Sequence, residues 1–150
     1  LREDFILDAI QIPESRAMGA SAILLIVAIL SDTQIQQFIL LANKLSLDVL
    51  VEVHDESEVA RVIQLNVNGR FAIGINNRNL KTFDIDLVTA PVLKEVLRSK
   101  GYEGLIVAES GYSSIDELEI LEKEGFDGVL VGEGLARHPD ILTYFDSTGH

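Results

Sequence analysis

Ala22-Ile23-Leu24-Leu25-Ile26-Val27 and Val49-Leu50-Val51-Glu52-Val53 decide the architecture, because each is apolar at nearly every position rather than at every second one. Uninterrupted Val, Ile and Leu runs fit strands covered on both faces, as in a parallel sheet flanked by helices; an antiparallel sheet with one wet face alternates instead. Three more runs of the same kind follow at Phe71-Ala72-Ile73-Gly74-Ile75-Asn76, Leu105-Ile106-Val107-Ala108-Glu109 and Gly128-Val129-Leu130-Val131, and a strand end is expected at Leu1-Arg2. The longest apolar run, residues 22–30, is nine residues. That is about half of what a membrane-spanning helix needs, and it reads as a buried strand.

Between these runs the period changes. Ile35, Phe38, Ile39, Leu41, Ala42 and Leu45 form one helical stripe, and Val59, Val62, Ile63 and Leu65 form another. A third helix is expected around Leu93, Val96 and Leu97, capped by Asp86 or Thr89, and Ser113-Ser114-Ile115-Asp116-Glu117 resembles a capped start for a fourth. Gly101 and Gly125 stand where helix stops are expected.

Strand starts near residues 22, 49, 71, 105 and 128 are spaced as successive βα units, and no linker or change of composition interrupts them. One domain over residues 1–150 is expected. Such units form either an open doubly wound sheet or part of a (β/α)8 barrel. No G-x-G-x-x-G or Walker loop follows any strand, which removes the strongest signal of the first. A closed barrel takes roughly 250 residues, so 150 supply about five or six of its eight units. The expected fold is α/β, a partial (β/α)8 TIM barrel lacking its first two to three units. Opening on Leu1 rather than Met is what a piece of something longer would do.

Composition narrows the partners. Twelve Lys and Arg against 24 Asp and Glu give a net charge of −12, which repels nucleic acid and anionic membranes. The absence of cysteine excludes disulfides, zinc thiolates and a cysteine nucleophile. His54, His138 and His150 are scattered without ligand spacing, so no metal is expected and His54 reads as a loop residue.

In parallel α/β folds chemistry gathers at the carboxyl ends of strands. Those ends carry Glu3-Asp4, Glu52 with His54-Asp55, Asn76-Asn77-Arg78, Glu109-Ser110-Gly111 and Gly132-Glu133-Gly134. Glu52, between Val51 and Val53, is either a rim residue paired with Arg78 or a buried base whose pKa burial would raise. Glu109 has the same two readings. Ser110-Gly111 and Gly132-Glu133-Gly134 precede helices, where glycines either make turns or let backbone N–H groups converge on phosphate. Residues 117–124, rich in glutamate, read as a solvated helix face.

Leu1-Arg2-Glu3-Asp4-Phe5-Ile6, Leu24-Leu25-Ile26-Val27-Ala28, Leu50-Val51-Glu52-Val53-His54-Asp55-Glu56, Gly74-Ile75-Asn76-Asn77-Arg78-Asn79-Leu80-Lys81-Thr82-Phe83, Ala108-Glu109-Ser110-Gly111 and Val129-Leu130-Val131-Gly132-Glu133 resemble, in that order, the indole-3-glycerol-phosphate synthase family. The resemblance implies a barrel of tryptophan biosynthesis, read here from the end of its third strand through its eighth. It also implies conversion of 1-(2-carboxyphenylamino)-1-deoxyribulose 5-phosphate into indole-3-glycerol phosphate, carbon dioxide and water, with no cofactor. Glu52 resembles the general base for dehydration, and Asn76 and Arg78 resemble residues that hold the intermediate and the substrate carboxylate. Glu109 resembles the acidic group beside the anilino nitrogen, and Ser110, Gly111, Gly132 and Glu133 resemble the phosphate cradle.

Glu3 departs from the pattern, standing where the family has its general-acid lysine and reversing the charge there. Asn79 replaces a usual aspartate, Gly134 a serine and Ala136 a methionine. Glu3 and the missing first strands motivate an alternative, a catalytically degenerate barrel fragment that binds a phosphorylated ligand or a partner barrel segment. A phosphoribosyl isomerase would share the cradle but not the motifs around Glu52 and Asn76. The expected partner is a small phosphorylated substrate, with fusion to or association with other tryptophan-pathway enzymes. The expected compartment is the cytoplasm, or a plastid if a transit peptide lies upstream.

Overall fold

A computed structural model describes residues 1–132 and residue 141. Its elements, in chain order, are α1 (Gln11–Ala17), β1 (Ala22–Ile26), a short 3-10 turn (Val27–Ile29), α2 (Asp32–Lys44), β2 (Asp48–Val53), α3 (Glu56–Gln64), β3 (Ala72–Asn76), α4 (Thr89–Ser99), β4 (Ile106–Glu109), α5 (Ile115–Lys123) and β5 (Gly128–Leu130). The strands pair in the order β1-β2-β3-β4-β5, all parallel. Each strand lies beside its predecessor after one helix, the connectivity of an arc of a (β/α) barrel. The strand end expected at Leu1-Arg2 is present as a parallel bridge, with Arg2 N donating to Ala22 O (2.9 Å) and Leu24 N donating to Arg2 O (3.2 Å).

Two expectations are corrected. The apolar run 22–30 is not one strand: it leaves the sheet after Ile26 and turns through Val27–Ile29. Arg61 on α3 holds that turn by donating to the carbonyls of Val27 (2.9 Å) and Leu30 (2.6 Å), satisfying groups that a longer strand would have paired. The helix around Leu93 starts at Thr89 with no side-chain cap on its N-cap, Val88. Asp86 still serves the entrance, accepting from Val88 N (3.0 Å). The Ser114 start of α5 is a full capping box with Glu117, and α4 and α5 stop just short of Gly101 and Gly125 as expected.

Alternation along the strands divides the core. Ile23, Leu25, Val49, Val51, Val53, Ile73, Ile75, Ile106 and Ala108 face the helices and join Ile35, Ile39, Val59, Leu93, Leu97 and Leu118 in the main cluster. The opposite face carries a smaller cluster, Leu24, Ile26 and Leu50 with Ala72 and Val107. Glu52, Gly74, Asn76 and Glu109 continue that second face toward the carboxyl ends of the strands.

Candidate active site

Glu52 stands opposite Gly74 on the neighbouring strand, and Asn76 stands opposite Glu109 on the next. Both carboxyl groups are buried, at 3% and 2% exposure. Gly74 makes room for them: a Cβ at that position would overlap Glu109 Oε1. With hydrogen in place of a side chain, the carboxyl of β4 reaches over β3 into hydrogen-bonding range of the carboxyl of β2. Glu109 Oε1 itself is buried without a hydrogen-bond partner.

Two carboxylates this close do not both ionise in a dry site. Burial first, then the charge of and hydrogen bond to Glu52, push the Glu109 pKa well up, with Glu3 adding to the rise. Glu109 is the member that keeps the proton. The expectation that burial raises Glu52 is corrected. Burial does act in that direction, but the contact with and charge of His54, the hydrogen bond with Glu109 and a hydrogen bond from Asn76 outweigh it and lower the Glu52 pKa. The pair combines an ionised and a protonated carboxyl, a base beside an acid.

His54 was not read from the sequence as a site residue, yet it is the charge partner of Glu52. Its Nε2 lies 2.9 Å from Glu52 Oε1, and Nδ1 lies 3.1 Å from Glu58 Oε2. The first is a charge contact rather than a directed hydrogen bond, since Nε2 has no aligned acceptor. Burial pulls the imidazole pKa down, but the close contacts with and charges of Glu52 and Glu58 push it up to about 9. The spacing Glu52-x-His54-x-x-x-Glu58 carried the signal: residues i and i+2 on a strand share a face, and a glutamate at the third position of the next helix reaches back. Asp55 caps α3 by accepting from Glu58 N (2.9 Å), which fixes Glu58 where its carboxylate accepts from His54 N (2.8 Å).

The β3–α4 connection organises the other end of the site. Asn76 Oδ1 accepts from Arg78 N (2.9 Å), and its amide serves Glu52. Buried Asn77, also missed as a site residue, donates to Ser110 O (3.1 Å) and shares a hydrogen bond with the Tyr112 hydroxyl (2.9 Å). Its Oδ1 accepts from Ala90 N (2.9 Å). Ser110 (φ 64) and Gly111 (φ 92) both turn left-handed, and a side chain on Gly111 would press on Ile85 at 2.5 Å. This turn opens into a cavity of about 310 Å³ lined by Glu3, Arg78, Ser110, Gly111, Tyr112 and Gly132. The predicted residues therefore fall into two linked groups, Glu52, Asn76 and Glu109 on the sheet face and Glu3, Arg78, Ser110, Gly111 and Gly132 around the cavity.

Ser110-Gly111 precede α5, whose N-cap is Ser114: Ser114 Oγ accepts from Glu117 N (3.3 Å), and the Glu117 carboxylate accepts from Ser113 N (2.7 Å) and Ser114 N (3.0 Å). Glu133, Gly134, Ala136, His138 and His150 lie outside the described residues. Among the described residues no group of three or more His, Cys, Asp or Glu is arranged to hold a metal ion, and no helix is long and apolar enough to cross a membrane.

Comparison with known proteins gives a consistent result. A family model described as indole-3-glycerol phosphate synthase matches residues 1–145. Indole-3-glycerol phosphate synthase of Albidiferax ferrireducens is 48% identical over 140 residues, covering 93% of this chain and 51% of that protein. That of Lachnospira eligens is 43% identical over 141 residues, covering 93% and 52%. The chain thus spans about half the length of the curated relatives it matches. In fold it resembles a chain from the tryptophan synthase a2b2 complex of the hyperthermophile Pyrococcus furiosus, with a TM-score of 0.57, 17% identity, and coverage of 86% of this chain and 50% of that one.

Proposed function

The chain belongs to the indole-3-glycerol phosphate synthase family, and from that premise we propose that it forms, as one domain, the last five βα units of a barrel that closes an indole ring. The substrate is 1-(2-carboxyphenylamino)-1-deoxyribulose 5-phosphate. Its carboxyl-bearing ring carbon bonds to the sugar's ketone carbon, carbon dioxide leaves, and the resulting alcohol departs as water. The last step takes a proton from carbon and gives one to the leaving hydroxyl, so it needs a base and an acid together.

The observation that carries this reading is the Glu52–Glu109 pair across Gly74, one member ionised and the other protonated. Glu52 is the base, and Glu109 is the acidic group beside the anilino nitrogen. Asn76 holds the intermediate, Arg78 the substrate carboxylate, and the backbone of Ser110, Gly111, Gly132 and Glu133 the phosphate. The reading carries with it a cytoplasmic enzyme needing no cofactor, fused to or associated with other enzymes of the tryptophan pathway.

The test uses the natural polypeptide that contains this chain, supplied with the substrate and followed by indole fluorescence. Fluorescence is expected to rise, and Glu52→Gln to abolish the rise; full turnover in that variant overturns the assignment. Glu3 in the cavity wall favours a second reading, a barrel that binds the phosphorylated ligand without transforming it. Calorimetric binding with no fluorescence change would select it. If Glu3 is instead a brake on a working enzyme, Glu3→Lys should raise turnover about 10²–10⁴-fold, the usual worth of a general acid.

A further inference from the structure

We propose that His54 is a positioning residue for the reaction: clamped as an imidazolium between Glu52 and Glu58, it keeps the Glu52 carboxylate ionised and fixed in orientation on the sheet face. The inference rests on the reading of Glu52 as the base, but it assigns to His54 and Glu58 work that this reading does not require.

The geometry is that of a three-member chain. Glu52, His54 and Glu58 side chains are exposed by 5%, 11% and 11%, so their charges interact through little water. Glu58 makes two contacts with the same residue, accepting from His54 N at 2.8 Å and meeting Nδ1 at 3.1 Å, so backbone and ring are held by one carboxylate. Asp55 in turn holds the Glu58 backbone through the α3 cap. The ring is thereby aimed with Nε2 at Glu52. A carboxylate stands against each ring nitrogen, Glu58 on Nδ1 and Glu52 on Nε2, and two negative charges at that distance favour the cation.

The charged groups around the ring are Glu52 on β2, Asp55 and Glu58 at the start of α3, and Glu109 on β4. Arg61, Arg78, Lys81, Asp84 and Asp86 lie in the wall of the cavity that His54 also lines. The two in contact with the ring nitrogens, Glu52 and Glu58, are acidic, and they favour the cation. The cation has a consequence for the carboxyl pair. Without it, only the Asn76 hydrogen bond to Glu52 and the charge of Glu3 near Glu109 distinguish the two buried carboxyls, and the proton is less strictly confined to Glu109.

The experiment measures kcat and KM against pH in the natural polypeptide carrying His54→Gln, His54→Lys or Glu58→Gln. In His54→Gln the acidic limb of kcat/KM should move up by about one pH unit, and kcat should fall tenfold or more while KM changes less than about threefold. His54→Lys, which restores a cation, should return the limb toward its original position. Glu58→Gln should move it the same way as His54→Gln but less far. An unmoved limb in His54→Gln, with Glu52→Gln inactive, overturns the role of His54 and leaves the synthase reading standing; an active Glu52→Gln overturns that reading instead. A readout independent of turnover and of the His54 variants is nitrogen-15 NMR titration of the imidazole. It is expected to titrate near pH 9 in the unsubstituted protein and lower in Glu58→Gln, and a midpoint at or below 6.5 in the unsubstituted protein overturns the inference.

Discussion

At Gly74 the site depends on an absent side chain. The Glu109 carboxyl occupies the volume that a Cβ would take, and Leu50 Cδ1 stands 3.2 Å from the same point. Gly74→Ala should therefore expel Glu109 from its place over β3 and cost about 1–3 kcal/mol, the range for overpacking. Urea unfolding checks the cost, and a double-mutant cycle checks the cause. Adding Glu109→Ala should recover most of the loss from Gly74→Ala, because the clash partner is gone, whereas purely additive losses would show that backbone strain rather than the carboxyl is responsible. Glu52 and Glu109 were legible in the sequence because a charge inside an apolar strand is conspicuous. Gly74 was not, since a glycine in a strand announces only that something approaches, and what approaches comes from another strand 35 residues on. His54 was hidden for a related reason: its meaning depends on the paired contacts with Glu52 and Glu58, and either residue alone reads as ordinary loop or helix-start chemistry.

Between elements, Asn77 joins three pieces of chain. Its side chain reaches the β4–α5 turn through Ser110 O and the Tyr112 hydroxyl and the start of α4 through Ala90 N, while its backbone bonds Glu109 O and Asp86 N. Asn77→Ala leaves these buried groups unsatisfied, at about 1–3 kcal/mol for each group stranded. The expected result is a loss of about 2–4 kcal/mol in urea unfolding, with hydrogen-exchange protection falling around Ser110 and Gly111 more than in α2. Uniform loss of protection would mean that Asn77 supports the whole fold and not this turn. Strands and long helices were legible because their apolar periods are set by burial on the main core. Helix α1 was not: within it only Ile12 and Ser15 are buried, so it has no stripe to read. It is held by polar contacts instead, Gln11 accepting from Leu7 N and Asp8 N and donating to Phe5 O, with Arg2 on Ser15. The end of β1 was misplaced because Val27 and Leu30 stay buried after the chain has left the sheet, so hydrophobicity alone carries no mark of the exit.

Across the whole molecule the parallel order β1-β2-β3-β4-β5 sends its apolar mass to the helix side and its polar groups to the other face, so protonation at one edge is linked to the stability of the sheet that carries it. Three of the shifted groups, Glu52, Glu109 and His54, give that link a sign. Glu52 is lowered in the folded state, so its share of stability is present above its unfolded value and is lost on acidification through the folded one. Glu109 is raised, so the folded state binds more protons than the unfolded one above the ordinary glutamate value, and stability falls as pH climbs. His54 is raised from 6.5 to about 9, so its contribution is complete below 6.5 and disappears as pH rises through 9. Above neutrality the last two act together, and the net charge of −12 adds self-repulsion as the imidazolium is lost. Stability should therefore peak on the acid side of neutral and decline by about 2–3 kcal/mol between pH 6.5 and 9.5 from His54 alone. Urea midpoints across that window measure the decline, and in His54→Gln the same window should be flatter although the protein is less stable at pH 6. A midpoint that holds steady or rises toward pH 9 in the unsubstituted protein would mean that the imidazole enters the folded state neutral, and the chain from Glu58 to Glu52 would then carry no charge to the base.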